Sequence, residues 1–206
     1  MVRLWTIDES GEPGERLRGV ARIATIDLLP GHPVGAQRHN GFMSGFGLKA
    51  NDAKSNELSK TAEIVCMADS FGDRAKGQTG MENCLQKNPD INIVYTINEP
   101  AAQGANGVLK TENKSGVIIV SVDGGCKPGL ELVSSGVIGA TAQQYPGKMA
   151  TLGMQAIKDL ADGKPKPAVS SGLDFFNTGV ALVTDKAVPG VTSISVADGQ
   201  KVCWGA

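Results

Sequence analysis

The sequence is poor in the features that mark nucleic-acid-binding, metal-binding and membrane proteins. Its formal net charge is only -1, and lysine and arginine are spread along the chain without a dense cluster, which disfavours nucleic acid and anionic membranes as partners. No run approaches the roughly 18 apolar residues of a membrane span, and the first twenty residues lack the apolar run of a signal peptide. The only histidines are His32 and His39, and the cysteines lack CxxC spacing, so we expect no metal site.

Sequence signatures of enzymes are also missing. The chain contains no GxSxG, GxxxxGKS/T or HExxH motif, and its glycine-rich run from Gly41 to Gly47 lacks the GxGxxG spacing of a dinucleotide-binding loop. Glu99 with Asp123 is a conceivable acid and base pair, but no sequence feature would separate their two pKa values. His39 is more simply a histidine on a helix surface. We therefore expect a binding protein without catalytic activity and without a cofactor.

What the sequence does contain is an alternation of short β-branched apolar runs with segments of helical periodicity. This alternation is typical of a parallel sheet flanked by helices, so we predict an α/β fold with a doubly wound parallel sheet. The predicted strands are Ile23 to Leu29, Glu63 to Ala68, Ile91 to Ile97, Val117 to Val122 and Val137 to Ala142. The predicted helices are Ala36 to Lys49, Arg74 to Gln86, Pro100 to Lys110, Lys127 to Ser134 and Gly147 to Asp162.

The two ends of the chain depart from this alternation. Residues 1–22 include a polar, turn-rich run without periodicity, which predicts a flexible leader. The long helix Gly147 to Asp162 has one apolar face, formed by Met149, Leu152, Ala156, Ile157 and Leu160, and that face needs a partner. A proline-containing linker follows this helix, and Gly179 to Thr184 is predicted to form a further strand.

Polar side chains follow several of the predicted strands, where ligands of open parallel sheets bind. Asn98 follows Ile91 to Ile97, Asp123 follows Val117 to Val122, and Gln144 comes shortly after Val137 to Ala142. Taken singly, these residues also suit helix caps and turns. Together they offer the donors and acceptors that sugar hydroxyls require, because each hydroxyl both donates and accepts hydrogen bonds.

Two further side chains are candidates for the same crevice. Arg38 lies near the start of the first helix, where its guanidinium could face the strand ends, although a surface arginine is the ordinary alternative. Phe71 lies in the loop after the second strand, where its ring could cover the apolar face of a sugar or pack under the loop.

An ordered series of segments resembles the ribose and galactose type of periplasmic sugar-binding protein, whose fold is shared by the effector domains of LacI-type repressors. The series comprises Arg38 to Phe42, Phe71 to Gly77, Asn88 to Ile91, Thr96 to Glu99, Val122 to Gly124 and Ala140 to Gln144. Asn177 to Asp185 and Cys203 to Gly205 look more like the fructose-binding members. By this resemblance the ligand-binding residues are Arg38, Phe71, Asn98, Asp123 and Gln144. Two departures are Glu99, where many relatives have Asp, and Val122, where they have an aromatic residue.

The resemblance implies a type I periplasmic-binding-protein fold of which this chain supplies the carboxyl-terminal lobe. Residues 23–206 would form the sugar-binding lobe, with about 147–172 packed on an amino-terminal lobe that the chain lacks, and residues 1–22 would be a leader foreign to the family. The implied function is the substrate-binding component, in part, of a bacterial ABC importer in the periplasm. Its partners would be a monosaccharide such as fructose or ribose and the membrane permease, and a homo-oligomer is possible.

Cysteine usage alone leaves two alternatives open, since four cysteines fit two disulfides or buried free thiols. The family resemblance and its periplasmic location favour disulfides, and we suggest the pairs Cys66 with Cys84 and Cys126 with Cys203.

Two other functions stand as alternatives. A ligand-sensing domain of a LacI-type transcription regulator has the same fold and the same strand-end chemistry. It would call for a helix-turn-helix before Ile23, and residues 1–22 show no such pair of helices. An enzyme acting on a sugar or nucleotide is disfavoured by the missing motifs.

Overall fold

Six strands form a single sheet in the computed structural model, which describes residues 21–52, 55–173 and 175–205. The order across the sheet is β2-β1-β3-β4-β5-β6, with the first five strands parallel and β6 antiparallel to β5. The strands are β1 Ile23–Asp27, β2 Ile64–Asp69, β3 Ile93–Thr96, β4 Ile118–Asp123, β5 Ala140–Gln143 and β6 Ala181–Val183. The predicted α/β class with a doubly wound sheet is confirmed.

A helix follows each strand along the chain. They are α1 Pro33–Phe46, α2 Arg74–Lys87, α3 Glu99–Thr111, α4 Glu131–Ser134, α5 Pro146–Ala161 and α6 Val196–Gly199. Local sequence sets their ends: the Asp73 side chain accepts from the Lys76 N–H at the start of α2, and Gly47 takes the left-handed conformation (φ 80°) that ends α1. None of the helices in the described ranges is long and apolar enough to cross a membrane.

Alternation along the central strands divides the core between the two faces of the sheet. Val94 packs into the cluster shared with α2 and α3, whereas Ile93 and Tyr95 pack into the cluster shared with α1. On the α1 side the Phe42 ring stacks on Tyr95 at a centroid distance of 4.8 Å. Burial of one such side chain contributes about 1.5 to 3 kcal/mol, so each face holds its helices by ordinary hydrophobic packing.

Glycines bring α2 and α3 unusually close together. A Cβ at Gly104 would lie 2.1 Å from the Arg74 carbonyl oxygen, and a Cβ at Gly77 would lie 2.8 Å from the Ala101 Cα. Only glycine allows this approach, which fixes the loops before the two helices relative to each other. Those loops carry two of the predicted site residues.

Two disulfides join distant parts of this framework. Cys66 of β2 is bonded to Cys84 of α2, and Cys126 is bonded to Cys203 near the carboxyl end. These are the two pairs suggested from the sequence. The first ties an edge strand to its following helix, and the second ties the segment after β4 to the segment after α6.

The predicted boundaries need three corrections. The helix predicted from Lys127 begins only at Glu131, because Lys127 is extended (φ -130°, ψ 131°) and the segment Cys126–Leu130 is an irregular turn. The short helix α6 was not predicted, since four residues show no periodicity. Residues 1–20 of the predicted leader lie outside the described residues, but Ala21 is buried and the Arg22 N–H donates to Asn92 Oδ1, so these two residues are part of the folded α/β structure.

The helix α5 has the apolar face predicted from the sequence, and none of its residues is buried. Met149, Leu152, Ile157 and Leu160 are all exposed, with Ile157 62% accessible. The face therefore has no partner among the described residues. An exposed apolar patch of this kind is uncommon on a soluble monomer.

We therefore expect the chain to associate with itself through α5 at micromolar concentration, because association would remove this face from water. Light scattering after size-exclusion chromatography should show a species heavier than the monomer, and Ile157→Gln with Leu160→Gln should return it to monomer. Lys158→Gln is the matched control, since Lys158 is also exposed but lies on the side of the helix opposite the apolar face. A wild-type chain that elutes as a clean monomer would contradict this expectation.

Candidate functional site

The structure brings three of the five predicted ligand-binding side chains into direct contact. Arg38 of α1, Asp123 at the end of β4 and Gln144 just after β5 form one hydrogen-bonded group. Asn98 follows β3, and Phe71 follows β2. Since these strands are parallel, their carboxyl ends share one edge of the sheet, and all five residues lie along that edge.

Asp123 is the centre of the group. Its Oδ1 accepts from Arg38 Nη2 at 2.8 Å and from Gln144 Nε2 at 2.7 Å, while Arg38 Nη1 donates to the Ile97 carbonyl oxygen at 2.9 Å. Burial raises the pKa of Asp123, and Arg38 and Gln144 oppose that rise. Its Oδ2 has no hydrogen bond to the described residues, so one carboxylate oxygen is left to accept from a ligand.

The backbone around Asp123 has an uncommon conformation that several contacts hold in place. Asp123 has φ 120°, which is rare outside glycine. Its carbonyl oxygen accepts from the Gln144 backbone N–H at 3.0 Å and from the Trp204 indole Nε1 at 3.3 Å. The Cys126 N–H donates to the Trp204 carbonyl oxygen at 2.8 Å, beside the disulfide to Cys203. We call residues 123–126 the Asp123 turn.

Gly124 completes the Asp123 turn. It has φ +66°, and a Cβ there would lie 2.3 Å from the Gln143 Cα, so only glycine fits. Its N–H donates to Glu99 Oε1 at 2.6 Å, and its carbonyl oxygen accepts from Gln143 Nε2 at 2.9 Å. The backbone N–H and carbonyl of Gly124 are therefore both bonded to side chains from neighbouring elements, Glu99 just after β3 and Gln143 at the end of β5.

Glu99 lies behind this turn and is only 2% exposed. Its Oε1 also accepts from Thr141 Oγ1 at 2.6 Å. Burial raises the pKa of Glu99 to about 7, the charge of Asp123 adds to that rise, and the hydrogen bonds oppose it. A raised carboxyl pKa favours the folded state at low pH, and that contribution is lost as the pH rises from about 4.5 to about 7. The sequence analysis considered Glu99 as a catalytic partner and as a departure from the family, but not as a support of this turn, because a carboxylate in the first turn of a helix is unremarkable.

Asn98 caps α3 and ties two loops together. Its Oδ1 accepts from the Ala101 N–H at 3.1 Å, and its Nδ2 donates to the Gly72 carbonyl oxygen at 2.9 Å. The capping alternative considered from the sequence is therefore present in the structure. One amide hydrogen remains for a ligand, so a binding role for Asn98 stays a prediction.

Phe71 stands out from the loop that follows β2. It has φ 55° and is 54% exposed, and Lys76 Nζ lies 3.9 Å from the centroid of its ring. The Phe71 N–H donates to the Leu28 carbonyl oxygen at 2.8 Å, which fixes the start of the loop. The ring is thus not packed under the loop, and Lys76 occupies one of its two faces through a cation–π contact.

His39, next to Arg38 on α1, is completely buried, so the prediction of a surface histidine is wrong. Its Nδ1 lies 2.9 Å from Asp27 Oδ1, and its Nε2 lies 3.0 Å from the Ser59 carbonyl oxygen. Asp27 also accepts from Thr25 Oγ1 at 2.6 Å. This buried network anchors α1 to the end of β1 and thereby sets the position of Arg38.

Comparison with protein families gives a match over most of the chain. The family model described as "Periplasmic binding protein domain" matches residues 13–165. The ribose import binding protein of Escherichia coli is 34% identical over 145 residues, which are 70% of this chain and 45% of that protein. The D-allose-binding periplasmic protein of the same organism is 27% identical over 153 residues, 74% of this chain and 44% of that protein. The chain thus spans about half the length of the curated relatives it matches.

Solved structures agree on the fold. The fructose-binding periplasmic domain of a hybrid two-component system is 26% identical with a TM-score of 0.64, covering 84% of this chain and 52% of that one. A solute-binding protein of an ABC transporter from Agrobacterium vitis, with bound D-fucose, has a TM-score of 0.67 at 22% identity, covering 91% of this chain and 58% of that one. At that identity the second structure bears on the fold alone.

Loss of the Cys126–Cys203 disulfide should change both the stability of the fold and the structure of the Asp123 turn. Loss of the Cys66–Cys84 disulfide should change only the stability. Replacing either pair by serines should lower the free energy of unfolding by about 3 to 4 kcal/mol, because the unfolded chain regains its freedom. Only Cys126→Ser with Cys203→Ser should shift the NMR signals of the Gly124 amide, which lies in the Asp123 turn, and of the Trp204 indole N–H, which donates to that turn.

Thermal unfolding and heteronuclear NMR measure the two effects separately, and Cys66→Ser with Cys84→Ser is the matched control. Equal spectral changes in both double variants would show that the second disulfide does not hold the Asp123 turn.

Proposed function

This chain belongs to the periplasmic binding protein domain family, and from that premise we propose that it is part of the substrate-binding component of a bacterial ABC sugar importer. The proposed ligand is a monosaccharide such as fructose or ribose, and the proposed partner is the membrane permease. The family includes sugar-binding proteins such as the ribose import binding protein of Escherichia coli, which supports both the class of ligand and a periplasmic location.

The observation that carries this proposal is the hydrogen-bonded group of Arg38, Asp123 and Gln144. It places a guanidinium, a carboxylate and an amide side by side at the carboxyl edge of the sheet. Adjacent sugar hydroxyls can donate to Asp123 Oδ2 and accept from Arg38 or Gln144, which suits a polyol better than a purely anionic or cationic ligand. Hydrogen bonds to charged groups contribute about 1.5 to 3 kcal/mol each, so this group would dominate the polar contribution to affinity.

Phe71 and Asn98 would complete this wall of the site. The Phe71 ring is exposed, and sugars present a flat face of C–H groups that packs on aromatic rings. Lys76 supports the ring at 3.9 Å on its other side. Asn98 has an amide hydrogen left for a hydroxyl after capping α3. These two roles rest on the resemblance of the sequence and on the positions of the side chains.

The surroundings of the Asp123 and Glu99 carboxyl groups fit a protein that binds its ligand without catalysis. Members of the family are binding proteins. Burial raises the pKa of Asp123, but the ion pair with Arg38 opposes that rise and occupies Oδ1 of the carboxylate. Glu99, whose pKa of about 7 would suit an acid or base, points its Oε1 at Gly124 and Thr141 and is buried behind the turn. We propose that neither residue transfers a proton to a ligand.

The exposed face of α5 gives the second part of the proposal. We propose that residues 23–206 are the carboxyl-terminal lobe and that about 147–172 pack on an amino-terminal lobe, as the sequence resemblance implies. The apolar residues of α5 lie on one side of the helix, as a lobe-to-lobe contact requires, and none is buried in the described residues. Two lobes would then enclose the sugar between them.

The chain alone should bind a monosaccharide only weakly, because it presents one wall of the site and a ligand normally loses most of its surface to such a pocket. The cost of immobilising the sugar offsets much of the gain from a few hydrogen bonds, so we expect a Kd of about 1 mM, or about -4 kcal/mol. Asp123→Ala should abolish binding, since it removes an acceptor and the partner of Arg38.

NMR titration with fructose, ribose, galactose and glucose measures these affinities. Asp90→Ala is the matched control, because Asp90 is an exposed carboxylate before β3, at the opposite edge of the sheet. Micromolar binding by the lone chain would show that the half-site account is wrong. Millimolar binding that survives in Asp123→Ala would place the sugar elsewhere.

A further inference from the structure

Glu99 lies at this edge of the sheet beside the proposed ligand-binding residues, and the proposed function assigns it no role. It is the first residue of α3, it is almost completely buried, and its carboxylate faces away from the crevice toward the back of the Asp123 turn. A buried carboxyl group costs free energy unless its bonds repay it. The groups that bond to the Glu99 carboxylate therefore indicate the role of this residue.

Four parts of the chain enclose this carboxyl group. Oε1 accepts from the Gly124 N–H of the Asp123 turn and from Thr141 Oγ1 of β5, both at 2.6 Å. On the side of the segment Cys126–Leu130, a Cβ at Gly129 would lie 2.5 Å from the same oxygen. The carboxyl group itself is presented by the first turn of α3, where the helix dipole favours negative charge. It therefore has little freedom to move.

The bond to Gly124 acts directly on Asp123. The Gly124 N–H belongs to the same peptide group as the Asp123 carbonyl, so the Glu99 bond fixes the orientation of that peptide group. Asp123 keeps its uncommon φ of 120° only while such contacts hold it. Displacement of Glu99 would let this backbone relax and would move the Asp123 carboxylate away from Arg38.

Charge provides a second connection between the two residues. Among the described residues, the ionisable group that acts on Glu99 is Asp123, which is itself paired with Arg38. Thr141, Gly124 and Gly125 act on it through neutral hydrogen-bonding groups. The negative charge of Asp123 disfavours ionisation of Glu99. Any ligand that neutralises or spreads the charge of Asp123 should therefore favour the ionised form of Glu99.

We propose that Glu99 is a positioning residue for the sugar site, which holds Asp123 through Gly124 and makes sugar affinity depend on its own ionisation. This inference rests on the proposed function. Sugar hydroxyls that donate to Asp123 reduce its repulsion of Glu99, so the complex releases a proton and affinity rises with pH. The pKa of about 7 places this change between pH 6 and 8. We expect an increase of about threefold across that range, the size of a modest coupling.

The test compares sugar affinity at pH 6, 7 and 8, by NMR titration, with the pH dependence of the Gly124 amide signal in the absence of sugar. In the wild type the amide signal should titrate with a midpoint near 7. Glu99→Gln keeps an acceptor oxygen but cannot ionise, so both pH dependences should disappear while binding persists. Thr141→Val removes a bond that lowers the pKa of Glu99, so both midpoints should move to higher pH. A purely structural role would not move a midpoint.

Glu131→Gln is the matched control, since Glu131 is an exposed carboxylate that pairs with Lys127. It should leave affinity and both midpoints unchanged. A loss of affinity below pH 6 that also occurs in Glu99→Gln would report protonation of Asp123. The inference about Glu99 is judged only from the change between pH 6 and 8. A Gly124 amide that does not titrate, or a Glu99→Gln variant that keeps the wild-type pH dependence, would overturn the inference. Failure of the wild type to bind any sugar at any pH would instead overturn the proposed function, and with it the role in affinity.

Discussion

The backbone of Asp123 is held in a left-handed conformation by contacts from both sides, and the candidate site depends on this constraint. The order of the sheet makes these contacts possible. Because β4 lies between β3 and β5, Glu99 from the end of β3 and Gln143 from β5 both reach Gly124. The Cys126–Cys203 disulfide brings Trp204 from the end of the chain to the same turn. Parallel topology thus converts three distant segments into one rigid support.

The elements of the fold could be predicted from the sequence because they follow from local patterns. Five β-branched runs correspond to the five parallel strands, and the polar residues predicted to follow the strands lie together at one edge of the sheet. The contacts that organise the site could not be predicted in this way. Glu99, Trp204 and Gly124 are far apart in the chain, and their types are ordinary for a helix start, a chain end and a turn. Their roles follow from the register of β4 beside β5, which periodicity does not fix.

Burial explains two further differences between the sequence and the structure. Histidine is ordinarily a helix-surface residue, but His39 lies on the buried face of α1 together with Ala36 and Phe42. There the Asp27 carboxylate and the Ser59 carbonyl oxygen lie within hydrogen-bond distance of its ring nitrogens. The helix α5 shows the opposite case, since its apolar pattern is that of a buried helix and its residues are exposed. A pattern reveals that a face is suited to burial. Which partner covers it depends on contacts that lie beyond the helix itself.

Preorganisation links this architecture to the binding of a small polar ligand. Arg38, Asp123 and Gln144 are already bonded to one another, so their side chains are ordered before a ligand arrives. The entropy cost of holding the Arg38 and Asp123 side chains together is met during folding, because the packing of α1 and the contacts that hold the Asp123 turn fix their positions. Under the proposed function, a sugar would only have to displace water and align its hydroxyls with Asp123 Oδ2 and the free donors. Gly124 and Glu99 hold the backbone of Asp123, and Arg38 and Gln144 hold its carboxylate. A hydroxyl of the wrong stereochemistry would therefore not be accommodated by a small rotation of this proposed acceptor. The same rigidity that holds the backbone of Asp123 would therefore give the site its selectivity among sugars that differ only in the orientation of their hydroxyls.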